Sequence, residues 1–202
     1  NVSFDGLCLT SPDVIREIHR AYAEAGADIL TTNSFGANAN KLATFGLAEK
    51  TREINLAATR LARECAGPDR LVAGSIGPFG EIAFGRDLTE DEVVATLGAQ
   101  AAALAEGGAD FLLFETLTSH LDVERACRAG AASGLPYAVT VTVDRNGETP
   151  QGDTLRTLLA PVAAAARPPT AFGLNCGSGP ESSLNALEIL MPALHPRDIW
   201  ER

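Results

Sequence analysis

Apolar residues along the chain follow two alternating patterns, one with helical spacing and one of short continuous runs. Spacing of three and four residues predicts helices, over residues 11–25, 49–66, 90–106, 121–132, 155–166 and from about 180 onward. Uninterrupted apolar runs predict buried strands, at residues 27–33, 71–76, 111–115, 137–143 and 171–175. Helix and strand therefore alternate along the sequence.

Residues that favour helix ends support these boundaries. Ser11 and Pro12 are typical of a helix start, and Thr89 is typical of an N-cap. Gly67 followed by Pro68 is typical of a helix end. The predicted helices therefore begin and end where their flanking residues favour it.

One short segment occurs twice. Residues 23–30 (AEAGADIL) and 105–112 (AEGGADFL) each end a helix on glycine, pass through Ala-Asp and enter an apolar strand. A repeated helix–strand unit predicts right-handed crossovers and a parallel sheet covered by helices. The first helix is indicated by apolar positions at helical spacing, which are Val14, Ile15, Ile18, Tyr22 and Ala25.

The number of predicted strands bears on the fold class. An open doubly wound sheet could be built from five strands, but no strand is followed by a glycine-rich phosphate-binding loop, so a nucleotide-binding fold has no support. A (β/α)8 barrel needs eight strands and about 250 residues, whereas this chain has 202. The chain is therefore short for a complete barrel, by roughly the amount that three missing helix–strand units would explain.

The charge balance excludes several partners. The chain has 16 Lys and Arg against 26 Asp and Glu, which gives a formal net charge of −10. A nucleic-acid partner requires a basic face, so none is expected. No apolar run reaches the ~18 residues of a membrane span, and the first residues have no signal-peptide pattern. We expect an acidic domain that acts in solution.

The four cysteines are far apart and form no C-x-x-C pair. A chain of this size with so few cysteines is not a disulfide scaffold, and a reducing compartment, the cytoplasm, is the natural location. Cys65 and Cys127 fall within predicted helices and are interpreted as packing residues.

Polar residues stand at the predicted carboxyl ends of the strands. In parallel α/β folds these ends meet at one mouth, where active sites form. A carboxylate, two amides and a thiol are therefore expected to converge. The residues at these ends are Thr32, Asn33, Ser75, Glu115, Thr116, Thr142, Asn175 and Cys176.

Several of these residues allow two interpretations. Glu115 is either a surface carboxylate or a partly desolvated one that receives the ammonium group of a small substrate. Cys176 is either a structural thiol or, because flexible residues 177–179 follow it, an exposed thiolate ligand or nucleophile. Asn33 could cap the following helix, and Asn175 could tie down a loop.

Six short motifs, in this order, resemble the homocysteine S-methyltransferase domain. The resemblance covers nearly the whole chain, and the order of the motifs makes it more specific than any one of them. The motifs are PDVI through His19, AGADI at 25–29, TTNSF at 31–35, GSIGP at 74–78, FET at 114–116 and GLNC at 173–176.

The resemblance implies an α/β protein with a single (β/α)8 TIM-barrel domain over residues 1–202, incomplete because strands 7 and 8 are not present. This barrel would bind one Zn²⁺ through three thiolates and methylate the sulfur of L-homocysteine. Cys176 matches the first zinc ligand of the family and would be both metal ligand and catalytic residue. Glu115 matches the carboxylate that holds the amino group of the substrate. Residues 2–6 resemble the first strand with its Asp-Gly turn, which would bring Asp5 near that amino group. Asn33, Ser75 and Asn175 are the remaining candidate substrate contacts.

The chain departs from the family pattern in three places. The adjacent Cys-Cys pair that supplies the other two zinc ligands is absent, and so is the long segment after the first Asp-Gly. Near the end, a helix runs through Met191 directly into residues 194–198, which resemble the lead-in to the seventh helix, so the seventh strand is missing. We expect these residues to be parts of a longer chain joined across three gaps.

The methyl donor is open at this stage. S-methylmethionine, S-adenosylmethionine, betaine and methyl-folate through cobalamin all serve relatives of the domain, and Glu81 hints at the folate-linked branch. The chain could therefore be fused to, or work with, a folate or cobalamin domain. Two other functions also stay open. One is a metal-free barrel enzyme for a small amino acid with Glu115 as acid or base, and the other is a non-catalytic barrel lacking the Cys-Cys pair.

Overall fold

The computed structural model describes residues 2–80 and 87–190. Within them, five parallel strands form one sheet in sequential order. Each strand pairs with the next along the chain, so right-handed crossovers place the helices on one face, as in a barrel. The predicted barrel class is therefore confirmed. The strands are β1 (Ile29–Thr31), β2 (Leu71–Ile76), β3 (Phe111–Leu117), β4 (Tyr137–Val141) and β5 (Ala171–Leu174). Glu81 and the junction at residues 191–198 lie outside the described residues.

Helices connect the strands and begin where the sequence indicates. The amide of Glu92 donates to Thr89 Oγ1, and the Glu92 carboxylate accepts the Thr89 amide, which makes a capping box at the start of α5. Within the described ranges, no helix has the length and apolar character needed to cross a bilayer. The helices are α1 (Leu7–Thr10), α2 (Pro12–Glu24), α3 (Ala39–Ala43), α4 (Thr51–Ala66), α5 (Glu90–Gly107), α6 (His120–Ala132), α7 (Leu155–Ala164) and α8 (Pro180–Leu190).

The main core lies between the sheet and the helices that cover it. Leu112 and Phe114 of β3 and Val139 of β4 are at most 1% exposed. The Phe114 ring meets the Tyr137 ring edge-on, with centroids 6.1 Å apart. Because side chains alternate along a strand, Glu115 points to the opposite face from Phe114. The helix-covered face therefore carries the core, and the other face is available for a site.

The predicted first strand at residues 2–6 is wrong. The segment forms a turn that runs directly into α1. The Gly6 amide donates to Ser3 Oγ and the Cys8 amide donates to the Asp5 carbonyl, each at 3.2 Å. These local hydrogen bonds use backbone groups that strand pairing would need. The turn nevertheless keeps Asp5 beside the loop that follows β1.

The helix predicted at this point is confirmed as α2, but four of the five apolar positions that indicated it are exposed, namely Val14, Ile18, Tyr22 and Ala25. The buried stripe consists of Ile15, His19 and Ala23. It is rotated by one residue, or about 100°, around the helix from the stripe of Val14, Ile18 and Tyr22. Ile15 packs with Ala58 and Leu61 of α4. The position of α4, rather than the periodicity of α2 alone, thus selects the inward face.

Lowering the pH below about 6.5 is expected to destabilise the fold through His19. Its side chain is 5% exposed, and its Nε2 has no hydrogen-bond partner in the described part of the chain. Burial lowers the pKa of His19 below its ordinary value of 6.5. The folded state therefore favours the neutral ring, and this contribution is present above pH 6.5 and lost as the pH falls, by at most about 1.4 kcal/mol between pH 7.5 and 5.5.

Urea unfolding at pH 7.5 and pH 5.5 measures this contribution of His19. His19→Leu should remove that part of the pH dependence, because leucine fills the site without titrating. A variant whose stability falls with pH as steeply as that of the parent protein would contradict the assignment.

Candidate active site

The carboxyl ends of β2 and β3 bring Ser75 and Glu115 into contact. Ser75 Oγ donates to Glu115 Oε1 at 2.5 Å. Ser75 is 1% exposed, and Glu115 is half-buried. The parallel register pairs Ser75 with Leu113, two residues before Glu115 on the same face of β3. Ser75 therefore orients a carboxylate at the mouth of the sheet.

A buried polar network holds Ser75. Its amide donates to Thr32 Oγ1 at 2.9 Å, and its carbonyl accepts Ser34 Oγ at 2.8 Å. Gln100 of α5 reaches the same point, where its Nε2 donates to the Ser34 carbonyl at 2.7 Å. Sequence reasoning assigned no role to Ser34 or Gln100. The sequence did contain a signal for Gln100. It is the one amide side chain among the otherwise apolar buried residues of α5, and a buried amide needs a hydrogen-bond partner.

Asp5 and Asn33 lie together at the end of β1. Asn33 Nδ2 donates to the Phe4 carbonyl at 2.8 Å, and Asp5 Oδ1 accepts the Gly36 amide at 2.9 Å. Gly36 suits this position because a Cβ there would lie 2.8 Å from Asp5 Oδ2. Both side chains therefore form hydrogen bonds to backbone groups, and these bonds join the turn at residues 3–6 to the loop after β1.

Asn175 and Cys176 follow β5 and meet Thr116 at the end of β3. The Thr116 amide donates to Asn175 Oδ1 at 3.1 Å, and Asn175 Nδ2 donates to Thr116 Oγ1 at 2.8 Å. Cys176 Sγ lies 3.8 Å from Thr116 Oγ1 and 3.5 Å from Asn175 Nδ2. The structure therefore brings Ser75 into contact with Glu115, and it places Asn175 and Cys176 beside Thr116. Because Thr116 directly follows Glu115, it connects the two pairs.

Cys176 differs from the other cysteines in its surroundings. It is exposed, whereas Cys8 and Cys127 are buried and Cys65 is partly buried, and all four are free thiols. Burial raises the pKa of Cys8 and of Cys127 to about 11, which keeps both protonated near neutral pH. The packing role predicted for Cys127 is confirmed. Cys176 is thus the accessible thiol at the mouth.

The described residues offer a single thiol to a metal ion at this mouth. Residues 2–80 and 87–190 contain no group of three or more His, Cys, Asp or Glu side chains arranged to hold a metal. A catalytic zinc site uses three protein ligands. Cys176 fits the part of one thiolate ligand, but the described residues do not complete a zinc site.

Parallel strands with a carboxylate, amides and a thiol at their carboxyl ends form the arrangement in which α/β-barrel enzymes carry their active sites. The chain belongs to the homocysteine S-methyltransferase family, whose model matches residues 3–200. It is 37% identical over 185 residues to methionine synthase of Mycobacterium leprae, a match that covers 85% of this chain and 15% of the relative. The chain thus spans a small part of that relative's length.

Solved structures agree with the family assignment. The homocysteine methyltransferase MmuM from Escherichia coli in its metallated form gives a TM-score of 0.80 at 27% identity, covering 95% of this chain and 74% of MmuM. Its apo form gives 0.73 at 26% identity, covering 95% and 72%. The fold described above is therefore similar to most of a homocysteine methyltransferase barrel.

Proposed function

We propose that this chain transfers a methyl group to the thiol of L-homocysteine and so forms methionine. The observation that carries the proposal is the run of contacts from Ser75 through Glu115 and Thr116 to Cys176, which sets a carboxylate and an accessible thiol at one mouth. Homocysteine has an ammonium group at one end and a thiol at the other, so this mouth suits both ends. The family assignment supports the same reaction.

In this proposal Glu115 binds the ammonium group of the substrate, and Ser75 holds the carboxylate in place for it. A half-buried carboxylate attracts an ammonium group more strongly than a fully solvated one, because less water screens the pair. Asp5 and Asn33 line the rim on the β1 side as further substrate contacts. Fixing the amino end lets the substrate sulfur approach the methyl donor in one direction, which lowers the entropy cost of the reaction.

Zinc is the metal that we propose for the site, with Cys176 as one thiolate ligand and the other ligands outside the described residues. Bound zinc would favour the thiolate form of a substrate thiol at neutral pH. The metallated form of the MmuM relative supports a metal in this family. Cys176 suits the role because its thiol is exposed at the carboxyl end of a strand.

We also propose the setting in which the chain acts. A reducing compartment such as the cytoplasm would keep the exposed Cys176 thiol free to bind a metal. We propose that residues 1–202 belong to one barrel domain, that its second substrate is a small methyl donor, and that a folate or cobalamin domain works with it. The similarity to a methionine synthase supports such a multidomain setting.

The full-length protein, purified with zinc under reducing conditions, is expected to convert homocysteine to methionine with one donor of a panel. The panel contains S-methylmethionine, S-adenosylmethionine, betaine, and methyl-folate with cobalamin, and mass spectrometry detects the product. Removing zinc with a chelator should stop the reaction, and adding zinc back should restore it. A protein that forms no methionine from any donor would overturn the proposal, and one that works equally well without metal would favour a metal-free barrel enzyme.

A further inference from the structure

The end of β3 departs from regular strand geometry beside Glu115. Pairing between β3 and β4 shifts register between Phe114 and Leu117, so Glu115 and Thr116 together oppose the single residue Thr140. A bulge of this kind re-aims side chains and is common beside active sites. Thr116 has a φ of 62°, a conformation that a β-branched residue rarely adopts. The strand is therefore strained where it delivers Glu115.

Asn175 holds Thr116 in this strained conformation. Asn175 Oδ1 accepts a hydrogen bond from the Thr116 backbone amide, and Asn175 Nδ2 donates one to the Thr116 hydroxyl, so both bonds connect the same two residues. A rare backbone conformation persists when surrounding contacts over-determine it, and such conformations cluster at functional sites. Cys176 itself has a φ of 55°. The bulge of β3 and the loop after β5 each contain a residue in the left-handed region, and Asn175 ties these two segments together.

This tie lies between the two groups proposed to hold the ends of the substrate. Glu115 directly precedes Thr116 and is oriented from the other side by Ser75. Cys176 directly follows Asn175, and its Sγ lies within 3.8 Å of Thr116 Oγ1. A movement of the β3 bulge or of the loop after β5 would change the spacing between the carboxylate and the thiol, and the two bonds of Asn175 connect these segments.

We propose that the Thr116–Asn175 pair is a positioning brace, which fixes the spacing between the Glu115 carboxylate and the Cys176 thiol for a substrate that has both an ammonium group and a thiol. The inference rests on the proposed function. The two residues act through Glu115 and Cys176, and the side chain of Asn175 serves the brace instead of contacting the substrate. A misplacement of about 1 Å at a reacting centre can cost about a hundredfold in rate.

Thr116→Val removes the hydroxyl and keeps the shape of the side chain, so it tests the brace directly. In the full-length protein, kcat/KM for homocysteine is expected to fall ten- to a hundredfold, mainly through kcat. The same variant should change kcat/KM less than about twofold for 4-mercaptobutanoate, which is homocysteine without its amino group, because a substrate held at one end does not depend on the spacing. Thr116→Ser keeps the hydroxyl and should restore most of the homocysteine activity.

Thr140→Val is the matched control, because it makes the same substitution on the opposing residue of β4. Thr140 Oγ1 is buried and has no hydrogen-bond partner within the described residues, so its loss should leave both substrates unaffected. Hydrogen exchange gives a readout that does not depend on catalysis. The Thr116 amide should exchange faster in Asn175→Ala and at the parent rate in Thr140→Val.

The possible outcomes separate the brace from the proposed function. If the parent protein methylates homocysteine and Thr116→Val loses activity equally on both substrates, the spacing role is overturned and the proposed function stands. If the parent protein does not act on homocysteine at all, the proposed function is overturned and the brace with it. If Thr116→Val loses activity on homocysteine alone and Thr116→Ser retains most of it, the result supports both the brace and the proposed function.

Discussion

Replacing Cys176 with alanine is expected to abolish methyl transfer to homocysteine, with kcat/KM lower by about a thousandfold or more. The substitution removes the exposed thiol that the proposal makes a metal ligand. Charge stabilisation by a bound metal is worth several kcal/mol, and each 1.36 kcal/mol corresponds to about tenfold in rate. Because Cys8 and Cys127 are buried and protonated near neutral pH, neither can replace the missing thiolate.

Two measurements check the Cys176→Ala prediction. Methionine formation from homocysteine is followed by mass spectrometry, and the zinc content of the purified variant is measured by elemental analysis. Zinc should fall from about one equivalent to near zero, because removing one ligand of a small set weakens metal binding strongly. Cys65→Ala is the control, since Cys65 is partly buried in α4 and away from the mouth. A Cys176→Ala protein that retained zinc and activity would contradict the role of the thiol.

Changing Glu115 to glutamine is expected to raise the KM for homocysteine roughly thirty- to a hundredfold, with a smaller effect on kcat. Glutamine keeps the size of the side chain and can still accept from Ser75 Oγ, but it lacks the negative charge. Losing one partner of a desolvated charge pair costs at least about 2 kcal/mol, which corresponds to a change of this size in affinity.

Initial rates over a range of homocysteine concentrations measure the effect of Glu115→Gln. With 4-mercaptobutanoate the variant should match the parent protein, because that substrate has no ammonium group for Glu115 to bind. Glu17→Gln is a suitable control, since Glu17 is an exposed carboxylate on α2. An unchanged KM for homocysteine in Glu115→Gln would show that the amino group is bound elsewhere.

The sequence was sufficient to predict which polar residues would converge. Each predicted strand has a polar residue at its carboxyl end or one position before it, and parallel strands place these ends at one edge, so the sequence predicts that Ser75 and Glu115 lie together. The structure brings them into hydrogen-bond contact. The same argument placed Asn175 beside Cys176 at the mouth, but it could not show that the Asn175 side chain bonds to Thr116.

Two features of the structure could not be predicted from the spacing of residues or from the resemblance. Residues 2–6 resemble the first strand of the family, but bonds within the turn, such as that between Gly6 and Ser3, satisfy the backbone of this segment. The apolar positions of α2 have helical spacing, but contacts with α4 turn Ile15 and His19 inward instead. At residues 2–6 the turn uses backbone groups that strand pairing would need, and in α2 the position of α4 selects the face that is buried.

What the sequence determined by itself is the alternation of helices and strands, the parallel sheet and the chemical types at its carboxyl edge. These follow from periodicity, helix-end residues and the geometry of parallel strands, all of which are local properties. The tertiary structure decided the face of α2, the fate of the first segment, and the bulge that sets Thr116 against Asn175. Those features depend on contacts between residues that are far apart in the chain. They are therefore determined only when the helices and the sheet pack together, and the spacing of residues along the sequence does not specify them.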